Sequence, residues 1–76
     1  MRITKRQLRS IVRVVFDDHA QNGAIIQCEV YGKLVHVDKM QIIVRSWECS
    51  GLPDTDSNHE HYSIVKSCIK EFRVLR

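Results

Sequence analysis

The stretch from Gly32 to Val44 constrains this chain more than any other. Gly32 interrupts an apolar run, Asp38 and Lys39 make a polar turn, and Ile42, Ile43 and Val44 follow as consecutive β-branched residues. A glycine inside a strand marks a bend or bulge, and β-branched side chains suit a pleated surface better than a helix. The segment therefore predicts two strands joined by a tight turn. The turn, rather than the strands, is where such a unit presents polar groups to a ligand.

The residues around it extend the β pattern. Before Gly32, the side chains of Ile26, Cys28 and Val30 fall on one face and those of Gln27, Glu29 and Tyr31 on the other, the period-2 signature of a half-buried strand. Ala24 to Asp38 is too long for an ordinary single strand, so the glycine bend lets one strand serve both sheets of a small barrel, with Leu34 and Val37 resuming the inward side. Upstream, Asp17 to Gly23 is polar and ends on Asn22-Gly23, a pair that tolerates positive φ and turns one strand back on another. Gln41 to Glu48 reads as the next strand, with Arg45 and Trp47 on the side of Ile43. Residues 49–58 are rich in turn formers and acids, with no apolar period, and read as a loop.

Both ends leave a choice between helix and strand. Thr4 is a good helix cap and residues 5–9 favour helix, but Val12, Val14 and Phe16 alternate with Arg13 and Asp17. A short helix over about 4–10 followed by a strand over about 11–18 fits best. At the other end Ile64, Cys68 and Phe72 recur at helical spacing, while two short apolar pieces, Tyr62 to Val65 and Ile69 to Val74, flank Lys66-Ser67-Cys68. Two short strands agree better with the β-rich remainder.

With 76 residues the chain makes one domain, 1–76, and buries only about 60% of its unfolded surface. Domains of this size commonly gain further stability from oligomerisation, metals or disulfides. Cys28, Cys49 and Cys68 are odd in number and follow no Cys-x-x-Cys spacing, and no secretory signal or membrane-long apolar run accompanies them. A cytoplasmic protein with reduced cysteines serving as small core residues follows. Charge is uneven: Arg2, Lys5, Arg6, Arg9 and Arg13 precede the first acid, and they account for the whole net charge of +3. A basic N-terminal segment suits a polyanion; its plainer role is a solvated, solubilising face.

Nothing in the sequence groups into a catalytic or cofactor site. Ser63, Ser67 and the four histidines give no nucleophile and base pairing, there is no glycine-rich phosphate loop, and Asp17-Asp18 reads as the shoulder of a hairpin. His59-Glu60-His61 with Cys49 or Cys68 offers zinc ligands, but no second pair at ligand spacing joins them. The expectation is a binding module with no enzyme activity, metal or cofactor.

One family brings these features together. Gly32-x-Leu34 with Val37 and Asp38 is similar to the first motif of the Sm, Lsm and Hfq proteins, and Met40-Gln41-Ile42-x-Val44 resembles its methionine-asparagine continuation, with Gln in place of Asn. Val65 to Ile69 resembles the Hfq form of the second motif, with Ser67 where the Hfq histidine stands. The resemblance spans residues 4–76, with an enlarged first hairpin and an enlarged loop at 49–61. The opening residues 1–9 are also similar to N-termini of marine phage proteins, which implies a viral member.

The resemblance implies a mainly β fold, a small five-stranded bent antiparallel barrel with a short N-terminal helix. It also implies a homo-oligomeric ring of about five to seven copies, the fourth strand of one subunit pairing with the fifth of the next; pairing removes exposed edges, and Ile64, Val65 and Phe72 would serve that interface. In such rings RNA bases lie near the pore, which nominates Lys39, Met40 and Gln41 from one turn and Lys66 and Ser67 from the other, with Lys5, Arg6 and Arg9 as electrostatic support. Asp38 is expected to cap its own turn, while the plainer roles of Met40 and Gln41 are a core plug and a turn residue. The implied function is binding of single-stranded RNA, regulating or chaperoning it. Asp54, Asp56 and Glu60 would oppose a polyanion, so the alternative is an oligomeric protein scaffold anchored through Trp47 and Tyr31.

Overall fold

In the computed structural model, which describes residues 2–19, 23–47 and 60–76, the alternating segments become five strands of one antiparallel sheet. They are β1 (Ile11–His19), β2 (Ile25–Val37), β3 (Gln41–Trp47), β4 (Glu60–Val65) and β5 (Ile69–Val74), in the spatial order β4-β3-β2-β1-β5. The two short strands expected at the C-terminal end form as such, separated by a 3₁₀ turn at Lys66–Cys68. Asn22 and the loop from 48 to 59 lie outside the described residues, as does the Trp47 side chain.

The strand order forces the sheet to curl. In a flat sheet the edge strands β4 and β5 would lie roughly 19 Å apart. The chain from Val65 to Ile69 reaches at most about 14 Å even when fully extended, and here it is wound into a turn. Curling stops short of closure, for β4 and β5 are not hydrogen-bonded to each other.

Gly32 is the residue that permits the bend. It lies opposite Val12 on β1, and a Cβ at this position would collide with the Arg45 carbonyl group and stand 2.9 Å from Ser46 Cα. Only hydrogen fits between the two backbones. Beyond it β2 shifts register against β3 between Leu34 and His36, a bulge that adds local twist. A second irregularity lies at Val15 and Phe16 against β5, and a third at Arg45 and Trp47 against β4.

The concave side holds the core. Val12, Val14, Val30, Leu34, Val37, Ile42, Val44 and Ile64 are buried together, and Ile3, Phe16, Ile69 and Phe72 pack against them. Leu34 and Val37 both point inward as expected; three residues apart, they share a face because the bulge between Leu34 and His36 shifts the alternation. Cys28 and Cys68 do not join this core; both are half-buried free thiols, Cys28 toward the start of β2 and Cys68 in the turn before β5.

The N-terminal helix expected over 4–10 is only a 3₁₀ turn, Lys5–Gln7. Thr4 caps it differently from the expected way: its N–H donates to Gln7 Oε1 (2.8 Å), and its carbonyl accepts from Gln7 N–H (3.1 Å). Arg9 ends it, with φ of 73°, in a left-handed conformation that costs a non-glycine residue about 1–2 kcal/mol. The competing interaction is sheet pairing: Arg9 N–H donates to the Leu34 carbonyl (2.8 Å), and Leu34 N–H to the Ser10 carbonyl (2.9 Å). Two residues after Arg9 the chain is already β1. At the same end Ile11 N–H donates to the Arg76 carbonyl (2.9 Å), tying the last residue to the first strand. No helix among the described residues is long and apolar enough to cross a membrane.

Candidate nucleic-acid interface

The turn between β2 and β3 is built by one carboxylate. Asp38 Oδ1 accepts from the N–H groups of Met40 (2.8 Å) and Gln41 (2.9 Å), and Asp38 N–H donates to the Gln41 carbonyl (3.0 Å). Its other oxygen meets His36 Nε2 at 2.8 Å. His36 first, then the two N–H groups, hold the Asp38 carboxyl well below the usual carboxylate range. Asp38 therefore caps its own turn, the role expected of it.

The strand pairing then carries the second turn to the first. Gln41 on β3 lies opposite Val65 on β4, and Lys66 N–H donates to the Met40 carbonyl at 2.8 Å. Lys39, Met40 and Gln41 thus share one corner of the molecule with Lys66, and Ser67 follows in the 3₁₀ turn. Met40 is 69% exposed, which excludes a role as a core plug. Lys39 and Ser67 are exposed, Gln41 and Lys66 half-buried. Lys66 Nζ reaches the Ile3 carbonyl at 3.4 Å, so the basic N-terminal segment runs past the same corner. Lys5 and Arg6 are exposed on that segment and, with Arg2 and Thr4, border a shallow concavity.

An amide, a thioether and two ammonium groups at one corner can hydrogen-bond a base edge, lie under a base and meet a phosphate. Arg9 does not belong to this group. Its left-handed backbone sends it to a different concavity, where Lys33, Arg45 and His61 also stand.

That second concavity was not visible in the sequence. Lys33, Arg45 and His61 come from three strands and meet only through register, Lys33 opposite Arg45 and Arg45 opposite His61. The available signal was the placement of Arg45 on the side of Ile43, away from the core. His61 contributes here as the acceptor of a hydrogen bond from Arg45; its sequence neighbour His59 lies outside the described residues.

Two further expectations need correction or placement. Ile64, nominated for a subunit interface, is only 3% exposed and belongs to the monomer's own core, because its side alternates inward opposite Ile42. Val65 is 47% exposed, and Phe72 is half-buried against the core. Tyr31 is exposed on the convex face, where its hydroxyl and Arg13 both bond Glu29, and Arg13 also pairs with Glu71 (2.8 Å). The Tyr31 hydroxyl and then the Arg13 guanidinium hold the Glu29 carboxyl below its ordinary range.

Comparison of the chain with protein-family models, with curated proteins and with solved structures returned no match.

Proposed function

We propose that this chain is an Sm-like protein that assembles into a ring and binds single-stranded RNA at the corner formed by the β2–β3 and β4–β5 turns. The observation that carries the reading is the Lys66 N–H to Met40 carbonyl hydrogen bond, which joins the two turns that the sequence resemblance nominates separately. The strand order and the curl support it as well, since they leave β4 and β5 as two edges open to partners. An open edge is a template for pairing with another chain, and closing one copy's β4 on the next copy's β5 removes both. Repetition of one weak nucleotide site around a ring raises affinity through avidity.

In this mechanism the Gln41 amide reads a base edge, Met40 lies against the base, and Lys39 and Lys66 meet phosphate or a base carbonyl. Lys5 and Arg6 add long-range attraction. Ser67 offers a hydroxyl as donor or acceptor beside them.

Light scattering tests the assembly: a mass of about five to seven copies is expected for paired edges, and a monomer would remove the ring. Binding is tested by fluorescence anisotropy with oligo-U and oligo-A across a salt titration. Saturable binding that weakens about tenfold or more in both Lys66→Ala and Gln41→Ala is expected. If no saturable binding occurs at low salt, a protein scaffold displaying the exposed Tyr31 becomes the better account.

A further inference from the structure

We infer that a second nucleobase of the bound strand stacks on the imidazole of His36, one step along β3 from the base read by Gln41. This rests on the reading of the corner as an RNA site and names where the next nucleotide goes.

The platform is made by a break in the alternation. Leu34 faces the core, so in a regular strand His36, two residues on, would face it too; the bulge between them turns His36 outward, opposite Ile43 on β3. Bulges beside functional sites re-aim a side chain in this way. Ser63 on β4 lies on the other side of Ile43, and three adjacent strands make a row about 10 Å across. An imidazole, an aliphatic floor and a hydroxyl thus stand side by side on the convex face.

His36 is held as a stacking platform must be. Its Nε2 meets Asp38 Oδ2 at 2.8 Å while the side chain stays 46% exposed, so the ring is anchored at one edge and still reaches solvent. Anchoring removes rotamer freedom that an arriving base would otherwise have to freeze. Asp38 also sets the turn that carries Met40 and Gln41, so one carboxylate positions both supports. His36 and Ile43 border the concavity of about 590 Å³, room enough for a base and its sugar. Lys33, Arg45 and His61, which also line it, already have partners within the molecule and take no part in holding the base.

The spacing selects a strand whose bases are splayed. Gln41 and Ile43 lie about 7 Å apart at the rise of β3. Bases stacked directly on one another lie about 3.4 Å apart, so neighbours at twice that distance each need a support of their own. Proteins hold single-stranded RNA in this manner, on flat rings that include imidazole and accept any base. The Ser63 hydroxyl, as donor or acceptor, suits the 2′-hydroxyl of the same nucleotide.

The test is NMR of the His36 ring protons in the full chain titrated with oligo-A and with adenosine 5′-monophosphate, alongside anisotropy of oligo-A binding to His36→Gln and His36→Phe. Glutamine keeps a donor for Asp38 and removes the ring; phenylalanine keeps a ring and removes the donor. Oligo-A should move the carbon-bound protons of His36 upfield, His36→Gln should weaken binding about tenfold, and His36→Phe should stay within about twofold of the parent. The mononucleotide should need a concentration about tenfold or more higher for the same shift, because only the strand is tethered at the corner. Equal concentrations would overturn the assignment to a strand. Weak binding by His36→Phe with His36→Gln unchanged would reduce His36 to a prop for the Asp38 turn and overturn the stacking. Saturable oligo-A binding that Lys66→Ala weakens, without a shift at His36, sinks this inference and leaves the corner standing. Absence of saturable binding sinks both.

Discussion

The two faces of this sheet are made by the same strands, residue by residue, yet they differ in what each position depends on. On the concave face Val12, Val14, Leu34, Ile42, Val44 and Ile64 are interchangeable in chemistry and differ only in shape, and their task is to leave water. On the convex face Arg13, Glu29, Tyr31 and Glu71 form one paired network, while Lys33, Arg45 and His61 are set side by side across three strands by register. Burial is additive and tolerant of small shifts. Charge depends on which neighbour the register supplies. The concave face accordingly decides whether the chain folds, and the convex face decides what it attracts.

Substitutions on the two faces should therefore separate in size. Leu34→Ala, at the centre of the core, is expected to cost about 2–5 kcal/mol in urea unfolding followed by circular dichroism. That is a large share of the roughly 4–11 kcal/mol expected for a domain this small. Gly32→Ala should cost about 3 kcal/mol, because the added methyl meets the Arg45 backbone and not a flexible side chain. A neutral Gly32→Ala would show that the bend does not depend on close approach of the two strands.

On the convex face Arg13→Ala should cost less than either, and the difference from the parent protein should shrink as salt is raised, since its ion pairs are exposed. A loss equal to that of Leu34→Ala, unaffected by salt, would erase the distinction between the faces. The smallest effect belongs to Asp38. Its carboxyl titrates lower in the folded chain than in the unfolded one, so its contribution is present above the usual carboxylate range and is lost as pH falls below it. Asp38→Asn should lower stability modestly at neutral pH and flatten that acid limb between about pH 4 and pH 2, so that the two proteins converge at the acid end. An unaltered acid limb would remove the carboxylate from the account of the turn.

Much of the concave face could be read from the sequence because its signals are local. The alternation of Val12 and Val14 with Arg13, the bend at Gly32, the Asp38 turn and the split at Lys66–Cys68 each lie within a few residues of chain, whereas Ile26, expected to share the inward face with Val30, is exposed. The candidate corner was readable for the same reason, one turn at a time; that the turns touch needed the Gln41–Val65 pairing. The short helix was misjudged because propensity favoured it, and the hydrogen bonds that end it come from Leu34, far along the chain. Ile64 and Val65 are nominated together for a subunit interface, and only the pairing of Ile64 with Ile42 shows that Ile64 faces the core. The groove around Arg45 was hidden most completely. Its members sit at positions 9, 33, 45 and 61, and only the register of four segments brings them together.

The pairing of β1 with β5 also bears on how the protein is made. Phe72 lies opposite Val14, so the partner of an early segment is translated after all the others. Until β5 arrives, one side of β1 offers unsatisfied N–H and C=O groups to any passing strand, and the sheet acquires its final member by a long-range search rather than by zipping up a neighbour. The nascent chain is thus most vulnerable to aggregation in the interval before β5 docks on β1, and a chaperone or a neighbouring copy that shields β1 in that interval would raise the yield of folded protein.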